Sequence, residues 1–129
     1  VQAATRAMST AHGGSGGAIV MMSSRAAALG GGNEWIQYAA SKGAINSMTV
    51  GFAQELGGDG IRVNAVAPGL IDTEIHAAAG LADRLQTKAK DVPLGRIGTA
   101  DEVAEAVKWL LSDAASYVSG AILDISAGR

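Results

Sequence analysis

Ala18-Ile19-Val20-Met21-Met22-Ser23-Ser24 is an unbroken apolar run that emerges from glycines and ends on two hydroxyl side chains. A strand with one wet face alternates apolar and polar positions. A continuous run of this length instead predicts a strand covered on both faces, as in a parallel sheet. Further on, Ile61-Arg62-Val63-Asn64-Ala65-Val66-Ala67 carries β-branched residues at alternate positions and stops at Pro68-Gly69, which reads as a second strand closing on a turn. Gly120-Ala121-Ile122-Leu123-Asp124-Ile125 supplies a third. The intervening stretches have helical periodicity, so the expected class is α/β, with three parallel strands joined by crossovers and flanked by helices.

The helices can be placed from their stripes and stops. Val1 to His12 has good helix formers and a stop at Gly13-Gly14, but no capping residue opens it, so the chain is expected to begin inside a helix. A long pattern from about Tyr38 to Leu56 puts Ile45, Met48, Thr49, Phe52 and Leu56 on one stripe and ends at Gly57-Gly58. Thr99 should cap a helix over roughly Ala100 to Ser112, with Glu102 completing a capping box and Val103, Val107, Leu110 and Leu111 facing inward. Residues 70–98 are irregular and read as a covering lid on a single, partial domain.

Composition narrows the functional classes. Ten basic and twelve acidic residues give a formal charge of −2, and the basic ones are scattered, so no nucleic-acid partner is expected. Cysteine is absent, which rules out disulfides, thiolate nucleophiles and cysteine metal sites. His12 and His76 are the only imidazoles, and neither is spaced with carboxylates as a metal site requires, so no metal is expected. No apolar run approaches the roughly 20 residues that span a bilayer, and the first residues resemble no signal peptide, so the expectation is a cytoplasmic protein without a membrane partner.

Tyr38 and Lys42 stand four positions apart at the start of the long helix, one turn apart on one face. A free phenol ionises near pH 10, about three units above neutrality, and a neighbouring ammonium favours the phenolate, so such a pair can exchange protons nearer neutral pH. Taken alone, the spacing fits equally a half-buried tyrosine beside a solvated lysine. Its context is more specific: Tyr38-Ala39-Ala40-Ser41-Lys42-Gly43-Ala44 follows a buried strand ending in Ser23-Ser24 and precedes Arg62-Val63-Asn64-Ala65-Val66-Ala67-Pro68-Gly69 and Gly120-Ala121-Ile122-Leu123-Asp124. In this order the motifs resemble the short-chain dehydrogenase/reductase family across essentially the whole chain.

The resemblance implies the C-terminal part of a Rossmann-like doubly wound sheet. It also implies an oxidoreductase that interconverts an alcohol and a ketone or aldehyde, with NAD or NADP as cofactor. Tyr38 would be the proton donor in reduction and the base in oxidation. Lys42 would lower the tyrosine's pKa and hydrogen-bond the nicotinamide ribose, and Ser24 would polarise the substrate oxygen. The residues themselves leave open an exchange of roles between Ser23 and Ser24. Pro68-Gly69-Leu70-Ile71-Asp72-Thr73 resembles the turn that covers the nicotinamide, where the Ile71 backbone and the Thr73 hydroxyl would meet the carboxamide or the adjoining phosphate. Asn64 is expected to be structural, its amide tying neighbouring backbone.

Two departures qualify the resemblance. Gly13-Gly14-Ser15-Gly16-Gly17 precedes a strand instead of following one, so it is a loop and not the family's pyrophosphate cradle. The family's catalytic asparagine has no counterpart. The chain is therefore expected to be a portion lacking the dinucleotide-binding half and inactive alone, with a non-catalytic binding or structural fragment as the alternative. The choice between NAD and NADP stays open because the segment that reads the ribose 2′ position is not among these residues. Substrate choice is expected from Asn33, Glu34, Trp35 and Ile36 and from the lid around Ile75, His76 and Leu81.

The long helix carries Ala40, Ala44, Ser47 and Gly51 away from its apolar stripe, small enough for a second helix to approach. The resemblance implies a homo-oligomer, dimer or tetramer, through this helix, the one before it and the last strand. Light scattering at micromolar concentration should give a mass above that of one chain; a monomer stable on dilution with a cooperative melt would refute the expectation.

Overall fold

A computed structural model describes residues 1–78 and 83–129. The chain opens with helix α1 (Gln2–Met8), a single 3-10 turn at Thr10–His12 and strand β1 (Gly17–Met22). A short helix α2 (Ala26–Leu29) leads to the long helix α3 (Ile36–Leu56) and strand β2 (Ile61–Pro68). Next come the two-residue strand β3 (Ile71–Asp72), helices α4 (Ile75–Ala78) and α5 (Arg84–Lys88), and a second short strand β4 (Gly98–Thr99). Helix α6 (Ala100–Leu111) and strand β5 (Ile122–Ile125) complete the order.

The main sheet is parallel in the order β1-β2-β5, as the apolar runs predict. β2 lies in the middle, with Val20 opposite Asn64 on one side and Val66 opposite Leu123 on the other. The period of two in a strand then sorts its side chains. Ile61 and Val63 face α3 and pack with Leu56, Phe52, Ala53, Met8, Ile19 and Met21. Val66 faces α6 and packs with Val103, Leu110, Ile71, Val107, Val20, Leu123 and Ile125. Helices on both faces make the sheet doubly wound.

Polar residues in the sheet are satisfied locally. Asn64 is fully buried, donates to the Val118 carbonyl at 2.8 Å and accepts from the Ala121 amide at 3.0 Å, so its amide ties the approach to β5 as expected. Arg62 donates to the carbonyls of Leu110 at 2.9 Å and Ser112 at 3.1 Å, meeting acceptors that the end of α6 would otherwise leave free.

Several expectations are corrected. The first helix stops at Met8, because Ser9 adopts an extended conformation and its hydroxyl accepts from the Ala11 amide. β1 is only half-buried, with Met22 49% exposed, since it has one strand neighbour and is an edge in the described structure. On α3, Met48 is exposed while Ala39, Thr49 and Leu56 are buried, so the inward face is rotated toward Ala53 and away from Met48. Leu111 is likewise exposed beside the fully buried Leu110, because adjacent helical positions point about 100° apart. Segment 70–98 is less peripheral than its composition suggests: Leu70, Ile71 and Val92 are buried, and β3 pairs in parallel with β4.

The capping box at α6 forms as predicted, with Thr99 accepting from the Glu102 amide and the Glu102 carboxylate accepting from the Thr99 amide at 2.8 Å. Arg96 adds a two-pronged ion pair to the same carboxylate. The Arg96 hydrogen bond, and then the Thr99 amide, hold the Glu102 carboxyl at about 2, below its ordinary 4.5. A depressed carboxyl contributes stability that is fully present above its unfolded value and disappears as pH falls through its folded value. Acid titration followed by circular dichroism should therefore show a component lost between pH 4.5 and about 2 that vanishes in Glu102→Gln. High salt should shrink it, since the group is exposed.

Candidate active site

The carboxyl ends of the strands carry the groups of chemical interest. Beyond β1 the main chain keeps alongside β2: the Ser23 amide donates to the Val66 carbonyl at 2.8 Å and the Arg25 amide to the Pro68 carbonyl at 3.0 Å. Ser24, between them, is therefore held by its two neighbours. Its Oγ accepts from the Ala26 amide at 3.1 Å, starting α2, and its hydroxyl proton stays available to another acceptor. Ser23 is different. It is 2% exposed, and its hydroxyl donates to Asn46 Oδ1 at 2.6 Å, pinning β1 to α3.

Tyr38 and Lys42 project from the first turns of α3 as their spacing predicts. Lys42 Nζ lies 5.5 Å from the centre of the Tyr38 ring and donates to the Met22 carbonyl at 2.9 Å, which draws the ammonium to the end of β1. Trp35 supplies the ring's other neighbour, meeting that of Tyr38 edge-on at 5.8 Å. Neither the Tyr38 hydroxyl nor the Thr73 hydroxyl has a hydrogen-bond partner among the described residues.

Ser24, Tyr38, Lys42, Pro68, Gly69, Ile71 and Thr73 all line one cleft of about 990 Å³. The wall also includes Glu34, Trp35 and Ile75, whereas Asn33 and Ile36 lie outside it. The side chain of His76 and the whole of Leu81 lie outside the described residues. Ile71 packs in the core with Val66, Val103 and Leu110 and also lines the cleft. Sequence reasoning missed three residues here. Asn46 was hidden because its partner lies 23 positions away, and Arg25 and Arg129 line the cleft without any motif to mark them.

Among the described residues, an ammonium with one protein acceptor, two hydroxyls without a hydrogen-bond partner and a serine proton can meet the ribose hydroxyls of a nucleotide and a carbonyl oxygen. That donor set is chemically compatible with a nicotinamide nucleotide. Among the described residues no cluster of histidine and carboxylate suits a metal ion, and no helix is long and apolar enough to cross a membrane.

A parallel, doubly wound α/β sheet with Ser, Tyr and Lys gathered beyond its strand ends defines the architectural class, and comparison with known proteins makes it specific. The family described as enoyl-(acyl carrier protein) reductase matches residues 1–129. The uncharacterized oxidoreductase YgfF of Escherichia coli is 49% identical over 98% of this chain and 51% of its own length. The 3-oxoacyl-[acyl-carrier-protein] reductase FabG of Chlamydia muridarum is 42% identical over 70% of this chain and 36% of its own. Among solved structures, a short-chain dehydrogenase/reductase described as a glucose/ribitol dehydrogenase, from Brucella melitensis, superposes with a TM-score of 0.78 at 36% identity, covering 86% of this chain and 44% of that one. The chain belongs to the short-chain dehydrogenase/reductase family. It spans about half the length of the E. coli relative and less of the others.

The loop from Ser24 to Tyr38 depends on backbone turns at Gly30, Gly31 and Asn33, all at positive φ. A Cβ on Gly31 would lie 2.6 Å from the Trp35 carbonyl oxygen, so this position needs glycine for both conformation and space. Gly31→Ala should destabilise the protein by about 1–3 kcal/mol and release Trp35 from Tyr38. Denaturant unfolding together with tryptophan emission checks this; an unchanged midpoint and spectrum would contradict it.

Proposed function

We propose that the protein carrying this chain is an NAD- or NADP-dependent oxidoreductase that interconverts a small alcohol and the corresponding ketone or aldehyde. The carrying observation is the convergence of Ser24, Tyr38 and Lys42 in one cleft, with a phenol hydroxyl that has no hydrogen-bond partner among the described residues. When bound, the nicotinamide supplies or accepts the hydride at the substrate carbon. This chain's residues do the rest. Tyr38 gives its hydroxyl proton to the substrate oxygen in reduction and takes it back in oxidation. Ser24 donates a hydrogen bond to the same oxygen, stabilising the charge that develops there. Lys42, anchored by the Met22 carbonyl, holds its ammonium 5.5 Å from the centre of the Tyr38 ring, where it can hydrogen-bond the ribose of the nucleotide.

Residues 70–98 act in this reading as the lid over the substrate end of the cleft, with Ile75 and Trp35 as contacts that sense substrate shape. Oligomer formation is part of the same proposal. It is supported by Ile36 at 63% and Val50 at 41% exposure on the outer side of α3, apolar area that a partner helix would cover.

In the full-length protein, Tyr38→Phe should cut kcat by about 10²–10⁴-fold or more while leaving nicotinamide binding nearly intact, because only the hydroxyl that passes the proton is removed. Reduced-nicotinamide absorbance measures the first and fluorescence titration with NADH and NADPH the second. Retained turnover would move the proton transfer to another group and overturn the reading.

A further inference from the structure

Arg25 comes directly after Ser24, yet its side chain leaves the loop and crosses the carboxyl end of the sheet. Its Nε donates to the main-chain carbonyl of Arg129 at 2.7 Å, and its Nη1 pairs with Asp124 Oδ2 at 2.9 Å. These partners lie 104 and 99 positions away in sequence. The Arg25 amide is at the same time bonded to the Pro68 carbonyl. One residue thus joins the carboxyl ends of all three main strands, β1, β2 and β5.

A second, independent contact ties the same region. The Gly69 amide donates to the Ile125 carbonyl at 3.0 Å, and a Cβ on Gly69 would lie 3.0 Å from Ser126 Cα. The Pro68-Gly69 turn therefore rests directly on the segment after β5. The Arg25 strap and the Gly69 contact both bear on that segment.

We propose that Arg25, through Asp124 and the Arg129 carbonyl, is a positioning residue that fixes Ser24 against the Pro68-Gly69 turn. The proposal rests on the oxidoreductase reading of the Ser24, Tyr38 and Lys42 cleft. It makes the stretch 124–129 part of the active site's framework. An ion pair whose members keep 23% and 50% of their side-chain surface in water contributes little to global stability. Its worth lies in geometry, because a hydrogen-bond donor displaced by a fraction of an ångström loses much of its effect on a reacting oxygen. Arginine is required for this: it reaches two acceptors in different directions through a planar fork, which lysine cannot.

The test uses the full-length protein with ethyl acetoacetate, cyclohexanone and glyceraldehyde as substrate probes and NADH and NADPH as cofactors. Arg25→Ala and Asp124→Asn should each lower kcat at least about tenfold, with cofactor binding and melting temperature nearly unchanged. The double variant should be little worse than Arg25→Ala alone, as expected for residues acting as one unit. Added guanidinium should restore part of the Arg25→Ala activity, and Arg25→Lys should recover only a fraction. Hydrogen exchange, which needs no turnover, should speed up in both variants at Ser24–Ala27 and at 124–129 together. Tyr38→Phe run alongside separates the two ideas. If it loses turnover while the Arg25 variants keep theirs within twofold, the strap is refuted and the functional reading stands. If Tyr38→Phe retains turnover, the functional reading falls and the strap's catalytic role falls with it. Exchange rates unchanged at either segment would refute the strap whatever the kinetics show.

Discussion

Everything in this structure hangs on β2. Its residues from Ile61 to Ala67 are buried apart from Arg62, and it has a parallel neighbour on each side. A strand buried this way can satisfy its amides and carbonyls only by pairing at both edges, and its two rows of side chains only by packing under helices on both faces. That one requirement fixes where β1 and β5 must lie and which faces α3 and α6 cover. It also fixes the site, because β2's last carbonyls, Val66 and Pro68, receive the amides that flank Ser24.

The chemistry is assembled just past the point where regular pairing ends. There the backbone begins to free its donors and acceptors for other use, which is why α/β sheets bind ligands at their carboxyl ends. Lys42 exploits this directly: the Met22 carbonyl, the last of β1, holds its ammonium. Ser23 and Asn46 lock strand to helix from beneath, so that Ser24 and Tyr38 are carried by two elements already joined. The half-buried polar groups of the cleft are thus carried by a strand and a helix that the buried Ser23 joins.

The same logic explains the glycines that bear on the cleft. Gly31 lets the loop turn under the Trp35 carbonyl, and Gly69 lets the turn after β2 lie on Ser126. In each case the absent side chain is what allows two backbones to meet. Neither carries chemistry, and both set distances between residues that do.

Much of this was legible in the sequence. The parallel α/β class came from Ala18 to Met22 and Ile61 to Ala67, because burial on two faces is written as continuous or β-branched apolar residues. The α6 capping box was written in Thr99 and Glu102, and the pairing of Tyr38 with Lys42 in their helical spacing, since these interactions close within one turn. The rotation of α3 that exposes Met48 was not legible, because it depends on which elements are neighbours. Asn46 and Arg25 were equally silent: their partners lie 23 and about 100 positions away, and no local pattern records such a contact. The sequence by itself determined the elements and the reactive residue types, through periodicity and short-range geometry. Only the tertiary structure decided which residues hold the reactive ones in place, because that is settled by hydrogen bonds made across the sheet after it has formed.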